Sequence, residues 1–89
     1  MNPSTVIVGK KDTMRYVTAC ITLFNRGERE IVLRARGRWI KNCVDTVMLL
    51  RKSFYHDLRI KEVSIGSDVL EHDEGRRRYV SYMEIRIER

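Results

Sequence analysis

Ile31-Val32-Leu33-Arg34-Ala35-Arg36-Gly37-Arg38 is an apolar run that passes into alternating arginines and then a glycine. Side chains at every second position of an extended chain point to one face. The run therefore predicts a strand whose far end presents Arg34 and Arg36 together, with Arg38 beside them if the extended path continues. Clustered guanidinium groups repel one another unless an anion lies across them, and a polyphosphate backbone is the commonest such anion. Gly37 offers a break, so Arg38 is expected at the start of a following helix. Working outward, Val6-Ile7-Val8 before Gly9 reads as a short strand upstream. Met14, Val17, Ile21 and Phe24 then recur at helical spacing, with Asp12 or Thr13 as cap and Gly27 as stop. Downstream, Ile40, Cys43, Val44, Val47, Met48, Leu50 and Phe54 mark a second helix over about residues 38–55. Its apolar stripe is wider than one sheet face requires, which points to contact with a partner subunit.

The remaining chain reads as two strands, Leu58 to Leu70 and Tyr79 to Ile87. The in/out phase slips between Ile60 and Val63, where a bulge or a change of face is expected. Residues 71–78 (Glu71-His72-Asp73-Glu74-Gly75-Arg76-Arg77-Arg78) hold too few apolar groups to fold back on a core, and predict the tip of a projecting hairpin arm. The element order is thus β-α-β-α-β-β in one domain spanning residues 1–89, with a flexible N-terminus over residues 1–4.

Composition narrows the function. The chain has 18 Lys and Arg against 12 Asp and Glu, a formal net charge of +6, and a pI near 9.7. Such a balance suits nucleic acid or an anionic surface. Charge is also segregated. Residues 1–56 hold 11 basic and 4 acidic groups, or +7; residues 57–75 hold 2 and 6, or −4; residues 76–89 hold 5 and 2, or +3. The basic groups fall in three clusters, Gly9-Lys10-Lys11, Arg34 to Lys41, and Arg76-Arg77-Arg78, which implies an extended footprint. No apolar run approaches the roughly 20 residues needed to span a bilayer, so no membrane partner is expected. Cys20 and Cys43 match no metal or redox spacing and read as buried reduced thiols, as in a protein inside the cell. His56 and His72 have no ligand partners at useful spacing, so no metal or cofactor is called for. No nucleophile elbow or other catalytic spacing is present, and the chain does not read as an enzyme.

With these residues in place, the chain resembles the Alba family of small basic archaeal chromatin and RNA-binding proteins. The resemblance runs from Val6 to Ile87. It is carried by Ile7-Val8-Gly9-Lys10-Lys11 with Met14, Tyr16 and Val17, and by Leu23-Phe24-Asn25-Arg26-Gly27. It continues through Glu30-Ile31-Val32, Arg34-Ala35-Arg36-Gly37-Arg38, Val44-Asp45-Thr46-Val47, Ile60 to Gly66, and the Gly75-Arg76 hairpin. It implies a two-layer α/β sandwich in which two helices cover one face of a four-stranded mixed sheet. This is the architecture of the C-terminal domain of bacterial translation initiation factor three, here with an extended hairpin arm. It also implies a homodimer with two arms, binding nucleic acid through Lys10, Lys11, Arg36 and Arg38, with Arg34 and Lys41 beside them and Arg76, Arg77 and Arg78 on the arm. By the same resemblance, Phe54 would join dimer to dimer, and Lys10 would be an acetylation site for an acetyltransferase and deacetylase. Three positions depart from the family pattern. Asp12 stands where proline is common, Trp39 where a small residue is common, and Lys41-Asn42 carries its basic residue one place early. Trp39 is expected either to pack under the arginines or to stack on a base.

The expected function is sequence-tolerant binding of double-stranded DNA, coating or compacting an archaeal chromosome in the cytoplasm. The alternative is RNA binding, in RNA stabilisation or as a ribonucleoprotein subunit, with Trp39, Tyr79 or Tyr82 as stacking groups. A third reading is an assembly protein whose basic face takes an acidic protein partner.

Overall fold

Val6 and Val8 are buried while Ile7 between them is exposed, the alternation that an extended chain at a sheet edge imposes. The computed structural model describes residues 2–71 and 75–89. In chain order it comprises β1 (Ser4–Ile7), α1 (Thr13–Asn25), β2 (Glu30–Arg36), a 3-10 turn (Gly37–Trp39), α2 (Ile40–Ser53), β3 (Arg59–Glu71) and β4 (Arg77–Glu88). The sheet order is β1-β2-β4-β3. β1 and β2 are parallel, with Ile7 opposite Arg34, and β4 is antiparallel to both of its neighbours. This is the expected β-α-β-α-β-β sandwich with a mixed sheet.

The core lies between the helices and one face of the sheet. Ile31, Leu33 and Ala35 of β2 and Ile85 and Ile87 of β4 meet Val17, Cys20 and Phe24 of α1 and Cys43, Val47 and Leu50 of α2. Both thiols are fully buried and free. Burial and the neighbouring Cys43 sulfur push the Cys20 thiol up to about 12, and burial pushes Cys43 to about 11. Both are therefore protonated packing groups at neutral pH.

Several boundaries differ from the sequence reading. Ser4 is part of β1: it pairs with Ile31, and its N–H donates to Glu28 Oε1 at 3.2 Å. Ser4 is thus held in the sheet rather than in the expected flexible N-terminus, because parallel pairing supplies backbone partners that composition does not reveal. α1 starts where expected, but the Asp12 side chain makes no capping hydrogen bond; its carbonyl accepts from the Arg15 N–H instead. At the other end, the Gly27 N–H donates to the Phe24 carbonyl and the Glu28 N–H to the Leu23 carbonyl, closing the helix. α2 begins at Ile40, after a 3-10 turn that takes up Gly37 to Trp39.

The hairpin differs most. The register shift falls between Ile60 and Glu62, as the slipping phase predicts. Beyond Arg36, which faces Tyr82, β3 and β4 continue as strands paired only with each other, through Ser67–Ser81 to Glu71–Arg77. The arm therefore contains Glu71, Arg77 and Arg78 as paired strand residues, and the 71–78 tip is narrower than expected. His72, Asp73 and Glu74 lie outside the described residues. At about 3.4 Å per residue, Tyr82 to Arg77 carries the arm about 17 Å past the end of β2.

Candidate nucleic-acid interface

Parallel pairing of β1 with β2 brings two chain reversals to one end of the sheet. The loop after β1 holds Gly9, Lys10 and Lys11; the turn after β2 holds Arg38 and leads to Lys41. Both α1 and α2 begin there, and neither has an acidic residue in its first turn. Their positive dipole ends thus add to the same surface. The arm projects from this end too, so the three basic clusters of the sequence converge.

The Gly9–Lys11 loop has a built form. The Tyr16 hydroxyl accepts the N–H of Gly9 at 2.9 Å and the N–H of Lys11 at 3.0 Å. Asn42 Nδ2 donates to the Gly9 carbonyl at 3.2 Å, tying the loop to the first turn of α2. The Thr46 hydroxyl, itself fully buried, donates to the Asn42 carbonyl. Lys10 and Lys11 are left exposed with their side chains outward. Sequence reading had no view of Asn42 as a clamp, and saw Tyr16 only as part of a family pattern. A tyrosine on the buried face of α1, one turn past a glycine loop, was the signal available.

The arginines divide into three settings. Arg34 lies on the sheet face away from the helices, where its Nε donates to Glu84 Oε2 at 2.8 Å. Its Nη2 reaches both oxygens of Asp68, at 3.0 and 2.9 Å, and its guanidinium carbon sits 4.3 Å from the Tyr82 ring centroid. Arg36 donates through Nε to the same Asp68 at 2.7 Å but remains half exposed. Arg38 leaves the series because Gly37 turns the chain at φ +54°, a conformation that favours glycine. Its guanidinium lies over Trp39, 5.4 Å from the ring centroid.

An anion does lie across Arg34 and Arg36, as their repulsion requires, but within the protomer it is a carboxylate. The separating anion is the chain's own Asp68, delivered by the arm from a distant part of the sequence. The hydrogen bonds that Arg34 donates to Glu84 and Asp68 raise its pKa further. Desolvation works to raise Asp68, yet the bonds from Arg34 and Arg36 outweigh it and hold its carboxyl below the usual range. Two arginines and two carboxylates make a neutral cluster, so Arg34 braces the arm root and only Arg36 keeps a free side towards solvent.

Of the other expected residues, Lys41 is exposed and pairs with Asp45 one turn on, at 2.7 Å. Arg76, Arg77 and Arg78 are exposed on the arm. Gly66, opposite Tyr82, has no room for a side chain: a Cβ there would lie 2.7 Å from the Tyr82 hydroxyl. The ring lies across this glycine, beside Arg34. Phe54 and Tyr55 part company at the end of α2. Tyr55 packs edge-on against Phe24 with centroids 5.3 Å apart, and Phe54 stays 46% exposed. Trp39 is half-buried against the core beneath Arg38, the first of its two expected settings.

The comparisons with known proteins agree with this geometry. The Alba family model matches residues 4–67. A protein of Methanocella arvoryzae, named DNA/RNA-binding protein Alba, is 38% identical over 84 residues, covering 94% of this chain and 88% of that protein. Among solved structures, Alba from Thermoplasma volcanium superimposes with a TM-score of 0.88 at 35% identity, covering 96% of this chain and 99% of its own. ALBA1 from Trypanosoma brucei shares the fold with a TM-score of 0.79 at 21% identity, covering all of this chain and 71% of its own.

Proposed function

This chain belongs to the Alba family, and from that premise we propose that it is a dimeric, non-enzymatic protein that binds duplex DNA with little sequence preference and coats or compacts a chromosome. The observation that carries the reading is the convergence of Lys10, Lys11, Arg38, Lys41, two helix N-termini and the basic arm at one end of the sheet. Phosphates meet such a surface through charge and backbone N–H groups, without reading base edges. Arg36 shares the surface through its free side. The arms, carrying Arg76, Arg77 and Arg78, would follow the groove by its shape. The relative's name, DNA/RNA-binding protein, supports nucleic acid as the ligand class, with RNA as the second polymer to be tried.

The dimer reading rests on an apolar strip without a cover in the protomer. α1 lies over β1 and β2, and α2 over β2 and β4. On the same side of the sheet Val63, Ile65, Val69 and Tyr79 are left 49–75% exposed. Val44 and Met48 on α2 are the surplus of its wide stripe, each 37% exposed. A second copy is the occupant this reading commits to, since strips of this kind mark protein interfaces. Phe54 would then be free to join dimers along the polymer, and Lys10, exposed on its loop, would be open to an acetyltransferase.

Salt dependence tests the mechanism. A dimer making about 6–10 phosphate contacts should lose about 10³–10⁵ in affinity between about 50 and 200 mM salt. Lys10→Glu with Lys11→Glu should weaken binding to all duplex sequences alike and flatten that dependence. A flat salt response in the native protein, or loss at one sequence only, would overturn the reading.

A further inference from the structure

Ile7 is an unexplained residue. It ends β1 on the sheet face opposite the core and is 66% exposed, with Arg34 directly across from it. Folding gains little from an isoleucine left in water beside cations. Nor does the proposed partner copy cover it. That strip lies on the helix side of β3 and β4, whereas Ile7 is on the other side and at the other edge of the sheet. The side chain instead forms one wall of an open recess of about 330 Å³. Gly9 and Ala35 contribute to its lining, with Arg36 and Trp39 around it. The lining thus combines an aliphatic side chain, part of an indole and a half-exposed guanidinium, and its Gly9 adjoins Lys10 along the chain.

We propose that this recess seats one unpaired nucleobase, so that the protein holds single-stranded nucleic acid by a contact that duplex DNA cannot make. The inference rests on the nucleic-acid reading above and adds a base site to its phosphate surface. A base plane covering Ile7 and the open part of Trp39 removes apolar area from water on both partners. The Arg36 guanidinium in the lining, and Lys10 next to Gly9 in the chain, would take the adjoining phosphates, and Arg36 can also stack. The charge of the rim selects an anionic polymer over an apolar peptide. In a duplex both faces of each base are covered by its neighbours, so the recess stays empty and binding depends on phosphates alone. Stacking is tolerant of base identity, in keeping with a protein that does not read sequence.

Trp39 is the chain's single tryptophan, and it reports directly on the recess. Titration with oligouridylate should change its emission saturably, and Ile7→Ser should remove that change while leaving any change that duplex DNA causes through Arg38, whose guanidinium lies over the ring. Ile7→Ser removes the aliphatic wall from a position outside the core. It should lower affinity for oligouridylate about fivefold or more and leave duplex affinity unchanged, and Ile7→Leu should restore it. The proposal is overturned if oligouridylate binds without moving Trp39 emission, or if Ile7→Ser weakens both polymers by the same factor. In either case the phosphate surface stands. Failure of both polymers to bind at low salt removes the base site and the phosphate surface together.

Discussion

Tyr16 spends its hydroxyl on two backbone N–H groups of the lysine loop, and so links the core to the proposed phosphate surface. A loop already held in its binding form loses less entropy when it meets a polyanion. Tyr16→Phe keeps the ring in the core and leaves those two donors without their acceptor, at a cost of about 1–3 kcal/mol for unsatisfied groups. Urea unfolding should show the lost stability. Duplex affinity should fall about threefold to tenfold while the salt slope stays the same, since no charge is removed. An equal affinity in the variant would show that the loop needs no clamp. Asn42 performs the matching task from α2, and neither role could be read from spacing. Both depend on a loop and two helices meeting in space.

At the scale of elements, the arm is fastened to the body by charge. Asp68 on β3 reaches Arg34 and Arg36 on β2, across the intervening β4. At the opposite end of the sheet, Lys61 in the bulge pairs with Glu30 and Glu88, and Arg86 also reaches Glu30. The Lys61 bond, with smaller help from Arg86, holds the Glu30 carboxyl below its ordinary range. Both Asp68 and Glu30 have folded-state pKa values below their unfolded values. Their contribution to stability is therefore complete above the ordinary carboxylate range and is lost as pH falls through the lowered values. Asp68→Asn should accordingly unfold over a shallower acid limb than the native protein. The same variant frees Arg36 and removes a negative charge beside the phosphate surface. Its duplex affinity should rise at low salt, with a salt slope steeper by about 2, one freed Arg36 from each protomer of the proposed dimer. An unchanged slope would mean that Arg36 never faces the polymer.

For the whole molecule, the proposed dimer makes its own prediction. Ile65, 75% exposed at the middle of the apolar strip, packs against nothing that a charge there would disturb. Ile65→Glu should leave the protomer folded by circular dichroism and place a carboxylate within the proposed dimer contact. Light scattering should then report a monomer, and the salt slope for duplex DNA should fall to about half, because one protomer carries half the cations. A variant that stays dimeric would move the interface to another surface.

The share of this protein that could be read in its sequence divides by distance along the chain. Local pattern determined the helices, the four strands, the bulge after Ile60, the segregated charge and the surplus apolar stripe of α2, because each depends on the spacing of near neighbours. The family motifs carried the architecture further than periodicity could. What only the tertiary structure decided is which charges meet. Arg34, Arg36 and Arg38 look equivalent over five residues, yet Arg34 is neutralised by Asp68 and Glu84, which lie 34 and 50 positions away. Arg36 shares that partner, and Gly37 turns Arg38 onto Trp39. A long-range ion pair leaves no mark in local spacing, because its geometry exists only once β2, β3 and β4 lie side by side. The alternating arginines were legible from the start; their division of labour belongs to the folded sheet.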